Sequence, residues 1–344
     1  MTPLLAVSDL RVEYPLPGPP GRSRRTLVAV DGVSFALHRG ETFGLVGESG
    51  CGKSSLGRAI VQLIRGGSGG KVTGRIELDG TDLVALRSGP LRRERRRLQM
   101  VFQDPFSSLN PRQSVGKILA EPIKAHGLAR GPDLDRRVVE LLRRVGLDEG
   151  VRERYPHEFS GGQRQRIGLA RALALDPDVI VADEPVSALD VSIQAQILNL
   201  LMTLQRDLGL TILFVSHDLS VVRHVSDRVA VMYLGQLVEV APADELYARP
   251  LHPYTVSLLS AVPVADPEVE RTRTRIILSG DVPDPSAPPP GCRFHTRCPY
   301  VQPQRCRDEV PALRSPSAGR EVACHYAEQI AEGRLGPHMT STVG

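Results

Sequence analysis

The chain has 344 residues, 41% apolar and 24% charged, the balance of a globular protein able to bury a full core. Its formal charge of +4 rests on arginine, the lysines being only Lys53, Lys71, Lys117 and Lys124. That excess is too mild to mark a nucleic-acid partner, and none is expected. No apolar run approaches the ~18 residues of a membrane span, and "MTPLLAVSDLRVEY" lacks the basic-then-apolar pattern of a signal peptide, so a cytoplasmic protein is expected.

In chain order, "LLAVSDLRVEY", "LVAVDGVSFAL" and "TFGLVGE" read as short β segments. Between the first two, "PLPGPPGRSRR" is too rich in Pro and Gly for regular structure. A helix is expected from Lys53 through "SSLGRAIVQLI" to the break "RGGSGG", and "GRIELDG" is a strand closing on an Asp-Gly turn. The basic run "RSGPLRRERRRLQM" reads as a solvated helix face leading into a strand. Helical spacing in "SVGKILAEPIKAHG", "LDRRVVELLRRVG" and "GQRQRIGLARALAL" marks a helical insertion. Strands return at "VIVAD" and "TILFVSH" around the helix "SIQAQILNLLMTLQRDLG", the alternation of a parallel sheet wrapped by helices. A hairpin "RVAVMYLGQLVEVA" follows, then a short helix "LHPYTVSLLSAVP", the linker "GDVPDPSAPPPG" and a Pro- and Cys-rich end.

"GESGCGKS", Gly47 to Ser54, has the spacing G-x-x-x-x-G-K-[ST] between an apolar strand and a helix start. There the backbone N–H groups of Gly47, Glu48, Ser49, Gly50, Cys51 and Gly52 turn toward phosphate oxygens, aided by the helix dipole. Lys53 reaches the β and γ phosphates of ATP, Ser54 offers a hydroxyl to Mg²⁺, and Ser55 extends the site. Cys51, at a helix N-terminus, has the dipole that activates a thiol, although a small residue tolerated by the loop is the plainer reading. "VIVADEP" sets Asp183 to hold Mg²⁺ and Glu184 to polarise the attacking water, where a lone acidic pair is more often a cap or surface feature.

With "FSGGQRQRIGLARAL" the chain resembles the ATPases of ABC transporters, whose signature sequence lies just upstream of such an acidic strand. Gln103 in "VFQDP" is similar to the family's Q-loop, Ser187, Ala188, Leu189 and Asp190 to its D-loop, and His217 in "FVSHD" to its switch histidine. Tyr14 stands where the family stacks a ring on adenine. The resemblance implies an α/β fold: a P-loop ABC-type nucleotide-binding domain with a RecA-like core, an antiparallel β subdomain and a helical subdomain at about residues 104–175. It also implies that Gln103 joins Ser54 and Asp183 at Mg²⁺. Ser160, Gly161, Gly162 and Gln163 would meet ATP held by a partner's P-loop, in a head-to-tail dimer that ATP closes.

"LHPYTVSLLSAVP" with "GCRFHTRCPY" is similar to the C-terminal extension of dipeptide, oligopeptide and nickel importer ATPases, and resembles the F-lettered more than the D-lettered subunit. That implies a nucleotide-binding domain over residues 1–250, an extension over 251–330 and a disordered tail over 331–344. It implies as partners a sister ATPase, two transmembrane permeases met through "QDPFSSLNPR" and, indirectly, an extracytoplasmic substrate-binding protein, with the chain peripheral on the cytoplasmic face of the membrane. The same machine importing nickel or glutathione, or an ABC ATPase working without a membrane, are the alternatives. A membrane-free member would carry a long coiled coil or a second P-loop, and this sequence has neither. A P-loop kinase leaves Ser160 to Gln163 unexplained.

Cys292, Cys298, Cys306 and Cys324 have the spacing C-x₅-C-x₇-C-x₁₇-C. Disulfides are disfavoured where thiols are kept reduced. Zinc usually takes a close C-x₂₋₄-C pair, absent here, with His295 and His325 as substitutes. A [4Fe-4S] cluster takes four thiolates from varied loops, often with Pro after one, as Pro299 follows Cys298, and resembling ATPases are thought to carry one. Inert packing is the fourth reading, with little apolar surrounding to favour it.

Overall fold

Three strands are buried along their whole length: β3 (Thr42–Val46), β7 (Val179–Asp183) and β8 (Thr211–Ser216). Unbroken burial requires cover on both faces, which parallel strands joined by helices receive. The structure, a computed structural model, describes residues 2–16, 26–64, 69–262, 271, 276, 278 and 280–337. The loop expected at "PLPGPPGRSRR", the break "RGGSGG" and the expected tail fall partly outside the described residues.

The three strands belong to a sheet with β6 (Leu98–Val101), β9 (Arg228–Tyr233), β10 (Gln236–Pro242), β11 (Arg314–Ser317) and β12 (Arg320–Val322), in the order β11-β12-β10-β9-β3-β8-β7-β6. From β9 to β6 every pairing is parallel, and the other pairings are antiparallel. Because side chains alternate along a strand, Val179, Val181, Leu213 and Val215 enter one hydrophobic core while Ile180, Ala182, Ile212 and Phe214 enter another.

The first core also receives an antiparallel sheet of order β2-β1-β4-β5, built from β1 (Leu5–Pro15), β2 (Thr26–Leu37), β4 (Lys71–Leu78) and β5 (Thr81–Asp82). Helix α1 (Lys53–Ile60) adds Leu56 and Ile60 to it. Helix α2 (Ser88–Arg95) and β6 take the basic run as read from the sequence, with Leu91 the buried residue of the helix. The second core receives α4 (Val115–Ala125), α5 (Gly131–Arg144) and α6 (Gly161–Leu173), reached through the short α3 (Pro105–Ser108). On α5 the buried residues are Leu134, Val138, Leu141 and Leu142, the narrow stripe of a surface helix. Helices α7 (Val191–Leu208) and α8 (Leu219–Val225) flank β8 in sequence and cover the same side.

The C-terminal segment shares this core. After α9 (Ala243–Ala248) and α10 (Pro253–Ser260), Tyr254 and Phe294 pack with Tyr233 of β9, their ring centroids 4.7 to 5.3 Å apart. Strand β12 pairs with β10, Glu239 opposite Val322, so the segment's hairpin extends the main sheet. Glu239, 1% exposed, accepts from the N–H groups of Leu251 and His252 and from Arg320. Burial pushes its carboxyl above the usual range, and those donors oppose the push. Glu239→Ala strands two N–H groups and a buried guanidinium at once, so a loss of about 3–5 kcal/mol is expected in denaturant unfolding. Limited proteolysis should then cut first after residue 250.

Candidate nucleotide site

Parallel register decides where the loops emerge. Val46 of β3 lies opposite Ser216 of β8, Val215 opposite Asp183 of β7, and Ala182 opposite Val101 of β6. Four carboxyl ends are therefore nearly level, and the segments beyond them leave at one edge of the sheet, where open α/β sheets bind ligands. They line a cleft of about 700 Å³ with Tyr14, Leu27, Ala29, Ser49, Gly50, Gly52, Lys53, Ser54, Ser55, Gln103, Asp104, Glu184, Ser187, Ala188 and His217.

Within the P-loop, Lys53, 5% exposed, donates Nζ–H to the carbonyls of Gly47 (2.7 Å) and Glu48 (3.0 Å), which curls the loop round its own ammonium. The Ser54 hydroxyl donates to Asp183 Oδ1 at 2.8 Å. Burial raises the Asp183 carboxyl above its ordinary range, with the Ser54 bond opposing. A hydroxyl and a carboxylate held together at the head of a helix are the oxygen donors a Mg²⁺ bound with a nucleotide uses, so the donor set fits that ion.

Glu184 is clasped from two sides. Its Oε2 accepts from Gln103 Nε2 at 2.8 Å, and His217 Nδ1 lies 3.2 Å from its Oε1. Its φ of 46° is left-handed, a strained backbone for glutamate that concentrates at functional sites. Ser187 donates its hydroxyl to the Glu184 carbonyl, tying the segment through Asp190, which caps α7, to the acid. Tyr14 reaches the same cleft, its hydroxyl 3.4 Å from Ser55 Oγ.

Several predicted residues stand outside that lining. Gly47, Glu48 and Cys51 are among them, as are Ser160 to Gln163. Ser160 is the N-cap of α6 and forms a capping box with Gln163, while Gly162 is held tight by Ile193 and Gly161 by Leu189. The signature segment is thus a capped, closely packed helix start outside the lining of this cleft. Cys51 is 5% exposed and burial raises its thiol, so the plainer reading of it stands against the activated one. Sequence reasoning missed Leu27, Ala29 and Asp104 of the lining; the first two arrive on β2, which nothing near the P-loop in sequence announces.

Cys292, Cys298, Cys306 and Cys324 line one small closed cavity with His252, His295 and His325. All four are free thiols, and burial pushes Cys292 up to about 11 and Cys324 up to about 12. No group of three or more His, Cys, Asp or Glu among the described residues is arranged to hold a metal ion, so the expected metal is not shown.

Fold and cleft together define a P-loop nucleotide-hydrolysing cassette. A family model described as "ABC transporter" matches residues 30–187, and one described as "Oligopeptide/dipeptide transporter, C-terminal region" matches residues 238–306. The chain is 53% identical over 324 residues to the "Putative oligopeptide transport ATP-binding protein YkfD" of Bacillus subtilis, covering 94% of this chain and 95% of that protein. It is 51% identical over 324 residues to the same organism's "Oligopeptide transport ATP-binding protein AppF", covering 94% and 97%. A solved dimer of the ATP-binding cassette MJ0796, bound to ADP and Pi, superposes with a TM-score of 0.60 at 28% identity, covering 70% of this chain and 98% of that one. The chain belongs to the ATP-binding subunits of ABC transporters and is an ATPase, with ATP and Mg²⁺ as its nucleotide and ion.

Glycine spacing in the P-loop is testable. A Cβ on Gly52, at φ 108°, would sit 2.0 Å from the Ala29 carbonyl oxygen, while one on Gly50, at φ 81°, would meet nothing within 4 Å. Gly50→Ala should cost on the order of 1–2 kcal/mol of backbone strain. Gly52→Ala should cost clearly more, because backbone must move. Thermal melting of both variants decides, and equal costs would contradict the close approach.

Proposed function

We propose that this chain powers import of peptides across the cytoplasmic membrane, closing on a sister ATPase beneath two permeases that receive substrate from an extracytoplasmic binding protein. The observation that carries the catalytic part is Glu184 held between Gln103 and His217 beside the Ser54–Asp183 pair. The names of the two Bacillus relatives support the peptide reading. Residues 1–250 are taken as the ATPase domain with its helical subdomain at about 104–175, residues 251–330 as the extension and 331–344 as the tail.

Gly47 and Ser49 to Ser55 of the P-loop bind the phosphates, Lys53 leaving its two carbonyls for the β and γ oxygens, whereas Glu48, expected among them, gives its N–H to the Tyr254 hydroxyl; Tyr14 offers its ring to the base. Bound Mg²⁺ supplies charge neutralisation between those phosphates. Ser54, Asp183 and Gln103 are the side chains placed to hold it. Glu184 orients and polarises the attacking water, with Gln103 and His217 fixing its carboxylate, and His217 also faces the γ-phosphate. Ser160 to Gln163 serve the partner's ATP, a reading supported by their absence from this chain's cleft and by the dimeric neighbour. The D-loop, Ser187 to Asp190, lies between the two sites.

A groove of about 950 Å³ lined by Phe102, Ser108, Asn110, Gln113 and Glu121 opens beside Gln103 and suits a permease helix. No helix of the described residues is long and apolar enough to cross a membrane. The reading of the chain as peripheral on the cytoplasmic face is supported by its likeness to the ATP-binding subunits of transporters. For the cysteines we favour a [4Fe-4S] cluster over Zn²⁺. Four thiols share one cavity, and their spacing lacks the close C-x₂₋₄-C pair usual at zinc. A four-iron cluster takes its four thiolates at separate corners.

Glu184→Gln should stop turnover while ATP still binds, read as ATPase rate against nucleotide affinity; near-normal hydrolysis removes Glu184 from its role. Purified without oxygen, the protein should be brown with about four irons per chain. Colourless protein with stoichiometric zinc overturns the cluster.

A further inference from the structure

The P-loop residue Glu48 stands outside the lining of the nucleotide cleft, and its N–H and its carboxylate are both taken by the C-terminal extension. Its N–H donates to the Tyr254 hydroxyl at 2.9 Å, and its carboxylate accepts two bonds from Arg297, at 2.9 and 3.3 Å. The Arg297 side chain is 9% exposed and that of Glu48 27%, so this forked pair is largely withdrawn from water, unlike a surface ion pair. Arg297 stands next to Cys298. At the other end of the same loop, Arg293, next to Cys292, donates to the Leu234 carbonyl and pairs with Asp31. The neighbouring Gly235 N–H donates to the carbonyl of Cys51 at 2.9 Å. One cysteine-bearing loop therefore grips the P-loop at two points, directly at Glu48 and through the 234–235 turn at Cys51.

We propose that Arg297 is a positioning residue for nucleotide binding: it neutralises Glu48 and holds the P-loop open to phosphate, making the extension part of the ATP site. The inference rests on the P-loop being the nucleotide site. Without Arg297 the Glu48 carboxylate is left unpaired one residue from the phosphate-binding backbone, where its charge repels a triphosphate. Removing that charge as well should cancel the repulsion, which a merely structural role for Arg297 would not do.

The full-length chain is titrated with Mg-ATP, with Lys53→Ala as the control that loses binding; a wild type that does not bind defeats the nucleotide reading and not the Arg297 argument. Arg297→Gln is expected to weaken binding roughly three- to tenfold, the size of one unpaired charge acting across a partly solvated site. Glu48→Gln combined with Arg297→Gln is expected to return to within about twofold of the wild type, while melting stays below it because the forked bonds are gone. An Arg297→Gln variant that binds like the wild type, or a double variant no better than the single, overturns the proposal. Should Arg297→Gln not fold, Arg297→Lys is read in its place: keeping the charge but not the fork, it should bind within about threefold of the wild type, and a larger loss that Glu48→Gln does not repair overturns it.

Discussion

Parallel pairing of β3 with β8, β8 with β7 and β7 with β6 is the constraint from which the chemistry follows. Antiparallel neighbours would send alternate loops to opposite edges. Parallel ones must all discharge at the same edge, and their level register brings Ser54, Gln103, Asp183, Glu184 and His217 to one cleft although Ser54 and His217 are far apart in the chain. Parallel strands also require long crossovers. The crossover between β6 and β7 carries α3 to α6, with Gln103 at its start, while Asp183 and Glu184 stand at the far end of β7.

The chain has a second glycine-bearing helix start at α6, outside the lining of the nucleotide cleft, and packing holds it there. Ser160 and Gln163 cap each other and Gly162 leaves no space for a side chain against Ile193 of α7, so the start of α6 is fixed by packing. Glu184 and Ser187 are bonded to each other, which ties the acid beyond the end of β7 to the segment that leads into α7.

Much of this was legible before any coordinates. The phosphate loop, the acidic strand and the signature carry their motifs in contiguous residues, and β3, β7 and β8 are unbroken apolar or small-residue runs that end up buried. The hairpin β11–β12 was not legible: "RSPS" and "REV" are too short to show alternation and hold one apolar residue, Val322, and they pair as strands where β10 offers an edge whose Glu239 binds Arg320. The Glu48–Arg297 pair was equally hidden, since its partners are 249 residues apart and each looks like an ordinary surface charge. Propensity speaks for local choices; a buried ion pair exists only once the fold has closed around it.

The extension was expected as an appendage, and its contacts make it closer to a keystone. Tyr254 and Phe294 sit in the same core as β8 and β9, and Tyr254 is wholly buried while its hydroxyl serves the P-loop. Such a placement has an energetic consequence. The segment is poor in apolar residues of its own, so its folding free energy must come largely from packing against the ATPase core. The linkage is reciprocal: anything that orders the cysteine loop favours the P-loop geometry that nucleotide binds, and nucleotide favours the ordered loop by the same free energy.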